Sequence, residues 1–227
     1  MSFDLVVWYE PSPITGAQAR HKLDKAYDHG DESGFIPHDA VRRFRQDLLA
    51  QFPAGEDLDP TNDTAVWSVT PDDSDRYISM SMSFSKADDV VPVILQLADT
   101  HGLVCLDPQN NSIHLPPALG RNLTLTVPGR RELTNPESEV LQSLVRQALQ
   151  RGSYAILEDQ PGYYLQAGSG PGVGMRQPGY AIEYRDGSAD AHFRHETLNL
   201  EEVLAAFESF RAGDGAFRTT LAWQPYP

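Results

Sequence analysis

The sharpest hydrophobic pattern in this chain lies at 77–84, where Ile78, Met80, Met82 and Phe84 alternate with Ser79, Ser81 and Ser83. A period of two buries one face of a strand and leaves the other, here small and polar, uncovered. The apolar runs at 3–9, 64–69 and 103–106 read as further strands, the last with a short hairpin partner at 112–115. Helical spacing replaces alternation where Val41, Phe44, Leu48, Leu49 and Phe52 share one face, predicting a helix over 37–52. Thr15 is placed to cap a helix that runs to Gly30. Asp88 is placed to cap another, with Pro92 in its first turn and Gly102 at its end. The resulting order of β, helical segment, β, β, α, β predicts a ferredoxin-like split βαβ unit, with two helices on one face of an antiparallel sheet.

After Pro116, Pro117 and Gly120 the pattern starts afresh, which divides the chain into units at 1–117 and 121–227. A strand at 123–127 precedes Asn135, read as a cap, and Pro136 at the first helical position. Val140, Leu141, Leu144, Val145, Ala148 and Leu149 then form one apolar stripe, closed by Gly152. Four strand candidates follow at 154–158, 163–167, 180–185 and 191–195. Asn199 with Glu202 reads as a capping box for a last helix with Leu200, Val203, Leu204, Phe207 and Phe210 inside, and a final strand at 219–224 carries Trp223. The second unit is thus expected to be an antiparallel meander flanked by two helices, making the chain α+β throughout.

Composition narrows the function classes. Across 227 residues, 32 acids against 18 bases leave a net charge of −14, which opposes direct binding to a phosphate backbone. The acid is concentrated: residues 1–120 carry 19 acids and 8 bases, and the remainder 13 and 10. Glu56, Asp57, Asp59, Asp63, Asp72, Asp73 and Asp75 fall in a stretch without a basic residue. That stretch reads either as a solvated loop or as a docking surface for a basic partner, whose encounter it would steer. The opening residues have no secretory pattern and the single Cys105 cannot pair within the chain, so a reducing cytoplasm is expected.

Candidate chemistry is sparse. The glycine-rich 168–174 segment lacks the lysine and the following helix of a phosphate loop and reads as a flexible hairpin connection. His192 and His195 lie three apart on a strand, hence on opposite faces, which disfavours a metal pair. His101, Cys105 and Asp107 permit a thiol-nucleophile reading, against which stands the apolar run around the cysteine. The pairs Glu158/Asp159 and Glu201/Glu202 read as a loop edge and a helix first turn. No cofactor or metal is expected.

Phe3-Asp-Leu-Val-Val-Trp8 and the 90–109 segment, with His101-Gly-Leu-Val-Cys-Leu-Asp-Pro-Gln109, resemble a group of small uncharacterised bacterial proteins. The second half is similar to immunity proteins of bacterial polymorphic toxin systems, an α+β family found beside nucleic-acid deaminase and nuclease toxins. The residues that carry this resemblance are Tyr180-Ala-Ile-Glu-Tyr-Arg-Asp-Gly187, His192-Phe-Arg194, Asn199-Leu-Glu-Glu-Val203, Phe207 and the terminal Phe217-Arg218 and Trp223. The resemblance implies a protein that binds and blocks a cognate, basic toxin domain. It carries over no catalytic residue. Tyr163, Tyr164, Tyr180, Tyr184 and Trp223 are candidate aromatic anchors for such a partner, beside the acids named above. A small cysteine-dependent enzyme and a non-catalytic adaptor are the alternatives.

Overall fold

A computed structural model describes residues 2–54, 66–175 and 178–227. Contacts divide the chain into two compact units, Met1–Arg121 and Asn122–Pro227.

Unit 1 contains β1 (Ser2–Trp8), α1 (Gly16–His29), α2 (Asp39–Gln51), β2 (Trp67–Val69), β3 (Tyr77–Ser83), α3 (Ala87–His101), β4 (Val104–Asp107) and β5 (Ser112–His114). The sheet order is β2-β3-β1-β4-β5 with every neighbouring pair antiparallel. Its first four strands have the ferredoxin-like arrangement, and β5 extends the β4 edge as a hairpin. Pairing of Leu5 with Met80 and of Val7 with Ile78 sets one apolar face. Phe44 and Leu48 of α2 and Val90 and Ile94 of α3 close over that face.

The expected cover of two helices on one face holds for α2 and α3 but omits α1. That helix lies on the opposite face, where Ala19, Leu23 and Ala26 pack against Val6, Trp8, Val104 and Leu106. The physical reason is in β1: Leu5, Val6, Val7 and Trp8 are apolar at consecutive positions, so both faces of this central strand need cover.

Local signals are met unevenly. Thr15 and Gln18 form a complete capping box for α1, and Gly30 ends the helix in the left-handed conformation. Asp88 does not cap α3. The chain already turns through Ser83–Lys86, with Lys86 at the cap position, and Asp88 lies in the first turn. Pro92 therefore falls beyond the first turn, where its missing N–H denies the helix one internal bond.

Unit 2 contains β6 (Thr124–Thr126), β7 (Leu133–Thr134), α4 (Ser138–Gln150), β8 (Tyr154–Gln160), β9 (Tyr163–Ser169), β10 (Tyr180–Asp186), β11 (His192–Thr197), α5 (Leu200–Ala212), α6 (Phe217–Thr220) and β12 (Gln224–Pro225). The order β12-β11-β10-β9-β8-β6-β7 contains the expected four-stranded meander. α4 and α5 share one core with the inward residues Leu125, Leu157, Leu165, Ile182 and Tyr184, so both helices cover the same face.

Two terminal details of unit 2 depart from the sequence reading. Asn135 is not a helix cap: it adopts a positive φ of 47°, and its amide oxygen accepts the Leu123 N–H at 2.8 Å, closing the open end of the β6–β7 hairpin. Glu137 takes the cap position of α4. The segment expected to be one strand at 219–224 begins instead as α6, because Asp214 accepts the Ala216 N–H at 2.9 Å and Phe217 drops into the core. Trp223 precedes the strand.

Candidate functional site

In unit 2 the sheet face opposite α4 and α5 is closed by polar chemistry. Gln166, Glu183 and Arg194 are neighbours across β9, β10 and β11. Glu183 is only 8% exposed. It accepts from Gln166 Nε2 at 2.5 Å and from Arg194 Nη1 at 3.0 Å, and His192 Nε2 lies 3.5 Å from it. The guanidinium and the amide meet the oxygens of this buried carboxylate.

Arg194 also fixes the glycine-rich segment. Its Nη2 donates to the Val173 carbonyl at 2.8 Å, its Nε to Glu196 at 3.0 Å, and its guanidinium stacks 5.1 Å from the centre of the Tyr226 ring. Gly168 makes this possible: a Cβ at that position would lie 2.2 Å from Val173 Cγ1. The segment read as a flexible connection is thus held against the sheet as far as Val173.

Beyond Val173 the same segment forms one wall of a groove of about 1050 Å³, lined by Gly174, Met175 and Pro178 on one side and by 195–199 with Glu202 on the other. Leu198, 78% exposed, lines it together with Glu196 and Glu202. Thr197 donates to Glu202 at 2.6 Å, and Asn199 caps α5 by accepting the Glu201 N–H at 3.0 Å. The expected capping box is therefore split, since Glu202 turns to Thr197. His195 donates from Nδ1 to the Ala222 carbonyl at 3.2 Å and holds Nε2 3.8 Å from Glu202. β12 pairs only with Phe193 and Arg194, so among the described residues the edge of β11 runs past His195 without a neighbouring strand.

The sequence-predicted anchors are scattered. Tyr184 is buried in the unit 2 core and packs edge-on to Phe217, with Trp223 beside it. Trp223 donates its indole N–H to the Phe217 carbonyl at 3.0 Å. Tyr184 faces the helices from its strand, and Trp223, half-buried ahead of β12, packs against the same core. Tyr180 is half-buried against the same core. Tyr163 leans on the Gly187 turn, and Tyr164 lies on the polar face beside His192.

Glu56, Asp57, Asp59 and Asp63 lie outside the described residues. Asp73 and Asp75 pair with Arg45 and Arg42 of α2 at 3.7 and 2.6 Å, which partly neutralises that end of the acidic stretch. Asp72 holds the Ser79 N–H at 3.3 Å.

Cys105 is fully enclosed among the α2 and α3 packing, and burial, followed by the charges of Asp107 and Asp99, pushes its thiol far above the ordinary range. His101 is engaged with Asp47 at 2.8 Å and sits edge-on to Phe44. The thiolate needed for a nucleophile is strongly disfavoured in this setting. His192 and His195 point to opposite faces, as the strand period requires, and among the described residues no group of three or more His, Cys, Asp or Glu could hold a metal ion. Among the same residues no helix is long and apolar enough to cross a membrane.

The groove around Leu198 was not singled out in the sequence, where Leu198 reads only as the residue before a cap. Its signal was the apolar residue placed before the acidic start of α5. Comparison with family models, curated proteins and solved structures finds no match to this chain.

Proposed function

We propose that this chain is a cytoplasmic immunity-type inhibitor that binds a cognate bacterial toxin domain acting on nucleic acid and occludes its active site. The observation that carries this reading is the groove of unit 2. Leu198, largely exposed, lines it together with Met175, Pro178, Glu196 and Glu202, and Arg194 holds the segment leading into it at Val173. An isolated exposed leucine has no meaning, but an apolar anchor in a groove with an acidic rim suits a basic protein surface. The resemblance of 180–223 to immunity proteins covers the same strands and helix. The outer edge of β11 past His195, without a neighbouring strand among the described residues, offers main-chain groups to a partner as well.

The thiol-enzyme alternative loses support from the enclosure of Cys105. His195 donates from Nδ1 to the Ala222 carbonyl and its Nε2 stands 3.8 Å from Glu202, so among the described residues no hydroxyl or thiol is hydrogen-bonded to this imidazole.

Co-expression with the toxin encoded by the neighbouring gene tests the proposal. The wild-type chain restores growth and forms a one-to-one complex, whereas Leu198→Asp weakens that complex at least about 30-fold, a typical loss for a central apolar anchor. Absence of any complex with the wild-type chain overturns the reading.

A further inference from the structure

A second cavity lies within unit 1, where α1 crosses the sheet. α1 fits tightly over the apolar end of that face, but β3 presents Ser79 and Ser81 to it, and these short side chains leave a cleft of about 480 Å³. That volume falls in the range of sites that hold small ligands or single side chains. The cleft has an apolar floor of Val6 and Leu23. At one end Asp4 accepts the Ser81 hydroxyl at 2.6 Å. Its backbone is clamped by Gln109, which accepts the Asp4 N–H at 2.7 Å and donates to the Asp4 carbonyl at 2.8 Å. At the mouth Tyr27, 55% exposed, donates to Ser79 at 3.0 Å.

One charged residue of each sign lines this cleft, Asp4 and Arg20. Arg20 is at the rim, but its guanidinium is taken by Asp24 at 2.7 Å and by the Pro108 carbonyl at 3.1 Å. Among the described residues no lysine or arginine lies within ion-pair distance of Asp4. Asp72, tied to Ser79, adds a second carboxylate near Tyr27. The Tyr27 phenol is raised above its usual range by burial, with Asp72 and Asp4 adding to the effect against the hydrogen bond to Ser79 and the charge of Arg20.

A carboxylate held by the Ser81 and Ser2 hydroxyls and, among the described residues, in no ion pair, an apolar floor for a methylene stem and an aromatic face at the entrance are the complement of a long cationic side chain. We propose that this cleft receives an arginine or lysine side chain of the partner protein, with its charged head against Asp4 and its stem along Val6, Leu23 and Tyr27. This assignment rests on the inhibitor reading and extends it by giving the acidic unit a defined contact of its own.

Amide chemical shifts of the full chain are followed during titration with N-acetyl-arginine amide, and separately with the neutral isostere N-acetyl-citrulline amide. The arginine derivative is expected to shift Tyr27, Ser79 and Ser81 saturably, the citrulline derivative not at all, and Asp4→Asn, which keeps an acceptor for Ser81, to abolish the response. Equal responses to both compounds, or a response surviving Asp4→Asn, overturn the assignment. The toxin complex gives the second arm, in which Asp4→Asn is expected to cost roughly 10- to 100-fold in affinity, as for a charge pair at an interface. An unchanged affinity overturns the protein source of the cation. If the wild-type chain binds no toxin, the inhibitor reading falls, and saturation by the arginine derivative then marks a site for a free cation instead.

Discussion

The two units close their sheets in opposite ways. Unit 1 covers both faces with helices, so its central strand β1 is apolar at consecutive positions and two separate cores result. Unit 2 covers one face with α4 and α5 and seals the other with Gln166, Glu183, Arg194, His192 and Tyr226. The first solution draws its stability from area removed from water, at roughly 25 cal/mol per Å². The second depends on each buried polar group finding its partner, and fails sharply when one is removed. In exchange, a polar face can anchor a loop at a chosen place, which apolar packing alone does less specifically.

The contrast can be broken most severely at the cores. Phe207→Ala in unit 2 and Phe44→Ala in unit 1, both fully buried, are each expected to cost about 3–5 kcal/mol. Urea unfolding of single-tryptophan variants, retaining Trp223 or Trp8, should show each loss in its own unit. Glu183→Ala tests the polar seal: stranding Arg194 is expected to cost about 3 kcal/mol, whereas the same change at exposed Glu196 should cost less than about 0.5 kcal/mol. Equal effects in thermal melts would show that the seal contributes nothing.

Alkaline pH sharpens the comparison on the side of unit 1. Burial, then the charge of Glu32 and its hydrogen bond to the hydroxyl, push the Tyr77 phenol up to about 12 from 10.0. Between those values the unfolded chain has lost a proton that the folded chain retains, so this contribution is intact below pH 10 and lost as pH rises toward 12. Tyr77→Phe should flatten the fall in urea midpoint across that window. The smallest effects are at helix starts. Thr15→Ala removes a real cap and is expected to cost about 1 kcal/mol, while Asp88→Ala, a first-turn charge without a capping role, should cost only about 0.3–1 kcal/mol at low salt. Circular-dichroism melts distinguish the two.

What could be read in the sequence follows from the same contrast. One-sided burial writes a period of two, so β3 and the meander were legible, as were the stripes of α2, α4 and α5. The side of the sheet that α1 occupies was not, because a helix pattern gives its own apolar face but not its destination; only the continuous run Leu5–Trp8 hinted at a second covered face. Asp88 and Asn135 were misread as caps because the same residue types serve in turns, where backbone geometry selects their role. The destination of Tyr184 was not legible, because alternation separates two faces without saying which is covered. Glu183 and Arg194 are 11 residues apart, and only the register of β10 against β11 makes them partners. The Asp4 cleft needed the serine face of β3, which was legible, and the passage of α1 above it, which was not.

The hold of Arg194 on Val173 bears on speed as well as shape. A glycine-rich connection left loose would have to be immobilised at each encounter, and that entropy would weaken every complex it joined. Fastened to the sheet while the chain folds, it meets an arriving molecule as a finished rim. Recognition then starts from collision rather than from rearrangement.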